Sequence, residues 1–244
     1  MLRVGIAGYG VVGKRRKFYI DKNPKFKVIA ISDISFKKII DKKKNIIYLK
    51  KYKDLLKQDI DVLFVCLPNR YASQATIDGL KNNIHVFCEK PPGRTVRDIK
   101  KVILQEKKNK LIKLKYGFNH RYHDAVIKLS TIIKSKKYGE IINFRGIYGK
   151  SKIITFSNSD WRSKRSAAGG GILLDQGIHL IDLILNLVSE IKEVYSFISN
   201  NYWKHNVEDN AYVMFKDKKG VVAMIHSTAT QWEHKFRLEI TLEK

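Results

Sequence analysis

Leu2-Arg-Val-Gly-Ile-Ala-Gly8-Tyr-Gly10-Val-Val-Gly13 decides the fold of this chain. A short β-branched strand over 2–7 runs directly into glycines spaced Gly8-x-Gly10-x-x-Gly13. The residues after it predict a helix over about 11–22, ending before Asn23-Pro24 because the residue preceding a proline is pushed out of the helical region. Three glycines at this spacing recur by chance, so their context matters. They follow a strand, open a helix, and Val28-Ile-Ala-Ile-Ser32 predicts a second strand ending on an acid, Asp33. Such a turn fits the pyrophosphate of a dinucleotide: Gly8 allows the tight bend, Gly10 lets the backbone approach the phosphates, and Gly13 permits close helix–strand packing. The amides around Tyr9, Val11 and Val12 open a helix whose partial positive charge favours phosphate. Asp33 stands 25 residues after Gly8, near the spacing of about 20 expected for an acid on the ribose hydroxyls. A carboxylate there repels a 2′-phosphate, which favours NAD, while Lys37 and Lys38 keep NADP open. The competing reading is a glycine turn that serves packing alone.

Working outward, strands and helices alternate. A brief strand at 46–48, a helix from Tyr52 to Lys57, the continuous apolar run Asp61-Val-Leu-Phe-Val-Cys66, a helix near 72–82, a strand at 84–88, a helix at 96–108 and a strand at 112–117 follow in turn. Ser35 is placed to cap a further helix. A strand apolar at every position is covered on both faces, and alternation at this spacing predicts a parallel sheet with right-handed crossovers. Beyond about 118 the pattern changes. A helix over 124–135, a strand near 141–148, a polar loop reaching Gly169-Gly170-Gly171, an apolar helix over 172–187 and strands near 191–199, 209–216, 220–229 and 234–242 predict an α+β region with a mainly antiparallel sheet. The turns at Asp217-Lys-Lys-Gly220 and Glu233-His234 suit hairpins between the last three strands. The expected division is 1–118, a Rossmann-type doubly wound domain, and 119–244, a substrate-binding domain incomplete at its end.

Val86-Phe-Cys-Glu89-Lys90-Pro91-Pro92 puts Lys90 at the carboxyl end of a strand, the edge at which open α/β sheets bind ligands. A lysine there can donate to a substrate hydroxyl or stabilise a developing alkoxide. Taken alone it reads as one more surface lysine, but the prolines after it stiffen the backbone that aims it. In Ile172-Leu-Leu-Asp175-Gln-Gly-Ile-His179-Leu-Ile-Asp182, Asp175 and His179 lie four apart on one face of an otherwise apolar helix. An acid and an imidazole buried there are costly unless partnered. A carboxylate beside an imidazole orients it for general-base work near neutral pH. A structural Asp–His pair and two zinc ligands on one helical face are the alternatives; no third ligand stands out, so no metal is expected.

Composition restricts the rest. The net charge of +25, with 48 Lys and Arg against 23 Asp and Glu, is lysine scattered over helix faces and loops, such as Lys42-Lys43-Lys44 and Lys107-Lys108. No basic block interleaved with stacking aromatics appears, so no nucleic-acid partner is expected. No apolar run approaches the roughly 18 residues of a membrane span, and no signal peptide is expected. Cys66 and Cys88 end apolar strands and read as buried thiols in a reducing cytoplasm.

The motifs Gly8-x-Gly10-x-x-Gly13, Cys66-Leu67-Pro68-Asn69, Val86-Phe-Cys-Glu89-Lys90-Pro91 and Gly169-Gly-Gly-x-Leu-x-Asp175-x-Gly177-x-His179 together resemble the Gfo/Idh/MocA oxidoreductases, the group of glucose–fructose oxidoreductase and the inositol dehydrogenases. The resemblance covers residues 1–182. It implies an NAD(P)-binding domain joined to an open-faced sheet, hydride transfer with a secondary alcohol or ketone of a sugar or sugar nucleotide, and a Lys90/Asp175/His179 constellation. It also implies that Leu67, Pro68, Asn69, Glu89, Lys90, Trp161 and Arg162 contact the cofactor, and that Arg121 contacts substrate along with Lys90, Asp175 and His179. An ion pair is the alternative for Arg121. Homo-oligomers are expected if the sheet is complete. Two departures stand out. Relatives commonly carry a histidine where this chain has Ala72, and their sheet continues past the point where this chain ends, in Glu239-Ile-Thr-Leu-Glu243-Lys244. A non-catalytic dinucleotide-binding regulator of the same fold is the second reading.

Overall fold

A computed structural model describes residues 1–36, 39–41, 45–150, 160–188 and 190–244. Lys37, Lys38 and Lys42-Lys43-Lys44 lie outside them, as do residues 151–159 of the polar loop before the three glycines. The chain divides into two compact units, Met1–Gly117 and Phe118–Lys244.

The first unit contains β1 (Leu2–Ala7), α1 (Val11–Asp21), β2 (Phe26–Ser32), β3 (Ile39–Asp41), β4 (Ile46–Leu49), α2 (Tyr52–Leu55), β5 (Val62–Val65), α3 (Asn69–Lys81), β6 (His85–Cys88), α4 (Val96–Glu106) and β7 (Leu114–Tyr116). The sheet order is β3-β4-β2-β1-β5-β6-β7. Every neighbouring pair is parallel except β3 with β4. The strand order therefore reverses between β1 and β5, and in a doubly wound sheet the ligand crevice opens outside the carboxyl ends at that reversal. The apolar run of β5 has the expected cause. Leu63 and Val65 are fully buried with Ala75 and Leu80 of α3, while Phe64 packs on the opposite face with Val4, Ile6 and Val28. Ala72 is 2% exposed in that first cluster and serves packing. The helix expected from Ser35 is not seen among the described residues. The Ser35 amide and hydroxyl both donate to Asp33 Oδ1, at 3.0 and 2.8 Å, a local turn that competes with helix.

The second unit contains α5 (Asp124–Lys134), β8 (Ile141–Gly149), α6 (Arg165–Ala168), a π-helical turn (Leu173–Gly177), α7 (Ile178–Leu185) and β9 (Ile191–Ser199), β10 (Asn210–Asp217), β11 (Val222–Thr228) and β12 (Lys235–Leu242). The sheet order is β12-β8-β11-β10-β9. The hairpin expected at Asp217–Gly220 forms, with β10 and β11 antiparallel. The second expected hairpin does not. Strand β8 lies between β11 and β12, parallel to the first and antiparallel to the second. Its alternate residues Phe144 and Tyr148 are buried with Leu180 and Ile184 of α7, and a place inside the sheet keeps that face covered. The other face is open and apolar, with Tyr195, Phe197, Tyr212, Met214 and Met224 all exposed.

Arg165–Leu185 is a 21-residue helical stretch long and apolar enough to cross a membrane by length and composition, a length the sequence was expected to lack. It is interrupted by Gly169 at φ +89°, and Ile172, Leu180, Leu183 and Ile184 within it are buried in this unit's core.

Candidate active site

In the first unit, the turn after β1 is shaped by contacts that only glycine allows. Gly8 has φ +91°, and a Cβ there would meet the Cys66 carbonyl oxygen at 2.5 Å; one on Gly13 would meet the Gly8 carbonyl oxygen at 2.0 Å. At Gly10 a Cβ would meet nothing within 4 Å. The outer glycines thus lock the turn to its own fold, while the middle one faces open space. Gly10 is the N-cap of α1 with no side-chain cap, and the first turn holds no acid. Its amides and partial charge suit an anion. Asp33 Oδ2 accepts from the Tyr9 amide at 2.8 Å, tying the acid to the turn. Burial opposes ionisation of Asp33, but the bonds from Ser35 and the Tyr9 amide, with the charge of Lys14, outweigh it and hold the carboxyl below its ordinary range. These residues fit the phosphates and adenosine ribose of a dinucleotide.

Leu67 and Pro68 leave β5 beside this turn, and Asn69, 6% exposed, opens α3. Lys90 follows β6 on the same edge of the sheet, and its bond to Pro91 is cis. Glu89, expected at the cofactor, is held by a residue the sequence reading passed over. Arg16 Nε of α1 donates to Glu89 Oε1, and the Arg16 guanidinium lies 4.9 Å from the Phe87 ring centroid. Glu89 also fills the space a Cβ on Gly117 would need, 2.9 Å from its Oε2. The signal available was a cation on α1 one turn beyond Gly13. Burial pushes the Cys66 thiol up and takes Cys88 up to about 12.

In the second unit, Gly169 ends α6 and the chain passes against the strand side. A Cβ on Gly171 would meet the Glu208 carbonyl oxygen at 2.0 Å. The Gly171 amide donates to Glu208 Oε1 at 2.7 Å and the Ile172 amide to the Glu208 carbonyl at 3.1 Å. Ser227 Oγ donates to the Ile172 carbonyl at 3.0 Å. Glu208, 8% exposed, thus satisfies amides at the start of the helix that bears the candidate residues, a role with no local sequence signal.

The turn carrying Asp175 is π-helical rather than the regular α-helix expected, and such turns recur at functional sites. Asp175 Oδ2 accepts from Gln176 Nε2 at 2.7 Å. His179 lies in the first turn of α7 and is 3% exposed. Its ring stacks on His120 with centroids 4.0 Å apart and planes 12° apart. Phe118 meets it edge-on at 6.2 Å, and Tyr148 lies tilted at 6.2 Å. Burial pushes the Tyr148 phenol up, with the nearby charge of Asp175 adding to the shift. Arg121 is engaged in the ion pair held open as its alternative: Nε and a terminal nitrogen donate to both oxygens of Asp182, at 2.7 and 2.5 Å. Arg162 folds over Trp161 at 4.3 Å, and its amide donates to Asp160 Oδ1 at 3.0 Å. Among the described residues, no group of three or more His, Cys, Asp or Glu is placed to hold a metal ion. The structure thus gathers the glycine turn with Asp33 in one unit, and Asp175, His179 and Arg121 around α7 in the other. Lys90 belongs to the first.

Residues 2–118 match the family model described as "Oxidoreductase family, NAD-binding Rossmann fold", and residues 126–244 match the GFO/IDH/MocA C-terminal domain. The chain is 27% identical over 236 residues to the uncharacterised oxidoreductase YrbE of Bacillus subtilis, covering 92% of this chain and 66% of that protein. It is 26% identical over 239 residues to myo-inositol 2-dehydrogenase of Thermotoga maritima, covering 93% and 68%. A levoglucosan dehydrogenase solved in complex with NADH and L-sorbose superposes with a TM-score of 0.89 at 23% identity, over 99% of this chain and 71% of that one. The chain thus spans about two thirds of the length of these relatives. Its N-terminal unit is an NAD-binding Rossmann domain, and the chain belongs to the Gfo/Idh/MocA family of oxidoreductases.

Proposed function

We propose that the protein is an NAD-dependent dehydrogenase or reductase acting on a secondary alcohol or ketone of a sugar or sugar nucleotide. The observation that carries this reading is His179, an imidazole 3% exposed and stacked among aromatic rings, one turn from a carboxylate in a chain whose other half is an NAD-binding domain. A buried imidazole of fixed orientation is an economical proton acceptor at neutral pH. The names of the relatives, a myo-inositol dehydrogenase and a levoglucosan dehydrogenase, support a polyol substrate.

Gly8, Tyr9, Gly10, Val11, Val12 and Gly13 bind the pyrophosphate and Asp33 the adenosine ribose. Leu67, Pro68, Asn69 and Glu89 line the cofactor, with Trp161 and Arg162 of the second unit. The nicotinamide, when bound, accepts or supplies a hydride. His179 takes the hydroxyl proton in the oxidative direction and returns it in the reverse. Asp175 stabilises the imidazolium that results, and Lys90 donates to the same oxygen and offsets its developing charge. Arg121, fixed by Asp182, holds a further substrate hydroxyl. In this reading residues 1–118 serve the cofactor and 119–244 the substrate, in the cytoplasm, where Cys66 and Cys88 stay free thiols. The open apolar face of β9, β10 and β11 suits a second copy of the chain. The ionised Asp33 favours NAD over NADP.

The test is a panel of cyclitols, aldoses and sugar nucleotides offered with NAD to wild type, Lys90→Ala and His179→Ala. Turnover by wild type that both substitutions abolish, with NADH affinity intact, supports the proposal. Turnover unchanged by either substitution contradicts it.

A further inference from the structure

Four of the seven histidines gather around one tyrosine of the second unit. The Tyr148 ring centroid lies 5.6 Å from His120, 6.2 Å from His179 and 5.7 Å from His234, and His123 lies 5.0 Å from His120. Phe236 closes the group, edge-on to His120 at 4.9 Å and to Tyr148 at 5.2 Å. The function proposed above uses one of these imidazoles, His179, and gives the others no task.

Position on a helix does not fix the plane of an imidazole. The second side-chain torsion of histidine ends on a planar ring and has a broad, shallow profile, unlike the staggered wells of an aliphatic chain. A ring free to turn about it spends only part of its time presenting a nitrogen to a substrate. Groups packed against the ring restrict its plane. The stacking partner does so: at 4.0 Å and 12°, His120 covers one whole face of His179, so rotating either ring would drive its edge into the other. Phe118, perpendicular to His179 at 84°, limits the same rotation from the side. His120 is itself held by Tyr148 at 31° and by Phe236 at 81°, and it belongs to a 3-10 turn, Asn119–Tyr122. The next residue of that turn, Arg121, is clamped to Asp182 on α7, three residues beyond His179. The turn and the helix are thus tied at two adjacent points, an ion pair and a ring stack. The ion pair fixes the backbone that delivers His120.

We propose that His120 is a positioning residue, whose stacked ring sets and holds the plane of the His179 imidazole. This rests on His179 being the proton acceptor, as proposed above, for its catalytic consequence; the ring-plane claim itself does not. What matters is a flat ring at position 120, not its nitrogens. A phenyl ring there keeps the stack and a methyl group removes it.

The experiment compares wild type, His120→Phe and His120→Ala by carbon–proton correlation spectra of the histidine rings, with His179 assigned by its absence in His179→Ala, and by kcat and KM on any substrate turned over. Stacking shifts the His179 ring protons through the neighbouring ring current. The proposal expects that shift to persist in His120→Phe and to vanish in His120→Ala. It expects kcat to fall on the order of 10²-fold in His120→Ala, the scale of misplacing a reacting group by about an ångström. KM and NADH affinity stay within about twofold in both, and His120→Phe recovers most of kcat. Unchanged His179 ring shifts in folded His120→Ala would overturn the proposal. So would wild-type kcat in that variant, or a kcat in His120→Phe as low as in His120→Ala while the shift persists. If wild type turns over no substrate, the reading of His179 as a proton acceptor fails, and the ring shifts alone decide whether His120 sets its plane.

Discussion

In the first unit the candidate site is made of main chain. Gly8 and Gly13 press backbone against backbone at distances no side chain tolerates, Gly10 stands clear, and Asp33 is tied to the turn through the Tyr9 amide. In the second unit it is made of side chains brought from separate elements. Glu208 and Ser227 hold the helix start from the strand side, Arg121 clamps Asp182, and His120 stacks on His179. Binding a phosphate chain needs a row of amides, which a short local sequence can encode. Orienting a proton acceptor needs groups converging from several directions, which only the tertiary fold supplies.

That contrast is testable by asking each unit to lose one group. The largest effect falls on catalysis. Lys90→Ala and His179→Ala should each lower turnover by about 10²–10⁴-fold, with NADH binding by calorimetry within about twofold of wild type. Equal loss of NADH affinity would assign these residues to binding. The next effect separates the glycines. Gly13→Ala, with its Cβ 2.0 Å from a carbonyl oxygen, should destabilise the fold by about 3 kcal/mol or more, the range of severe backbone and overpacking strain. Gly10→Ala has room in the protein itself and should leave the melting temperature nearly unchanged while weakening NADH by tenfold or more. A Gly10→Ala variant that binds NADH normally would show that backbone approach at this residue is not required.

This division explains what the sequence disclosed. The parallel sheet, the glycine turn and Asp33 were legible because each depends on neighbours within a few residues or on a strand-length apolar run. The placement of β8 between β11 and β12 was not, because a parallel pairing leaves no turn signal to read. The π-helical turn beneath Asp175 was hidden for a similar reason. Its apolar residues fit a regular helix equally well, and the pins from Glu208 and Ser227 come from 37 and 55 residues away. Arg16 on Glu89 had only a cation one turn beyond Gly13 to hint at it, and His120 on His179 is a pairing across elements with no spacing rule to announce it.

Smaller effects sharpen the same comparison. Glu208→Ala removes the acceptor for the buried Gly171 amide and should cost about 1–3 kcal/mol by chemical denaturation, with kcat falling further than NADH affinity. A variant that loses NADH affinity instead would break the separation of the two units' roles. The smallest concerns acid. Hydrogen bonds from the Arg3 side chain and amide take Asp61 down to about 2, below its ordinary value of about 3.9. A carboxyl depressed on folding stabilises above the unfolded value, and that contribution is lost as pH falls from about 4 towards 2. The pair is partly exposed, so the loss should be only about 1 kcal/mol after screening. It should be absent in Asp61→Asn, as followed by melting temperature against pH.

The most direct measurement follows NADH binding and polyol-dependent reduction of NAD side by side in wild type and His179→Ala. The account predicts that both proteins bind NADH alike and that only wild type turns over a sugar or cyclitol. Wild type that fails to bind NADH, or His179→Ala that turns over at the wild-type rate, would contradict it.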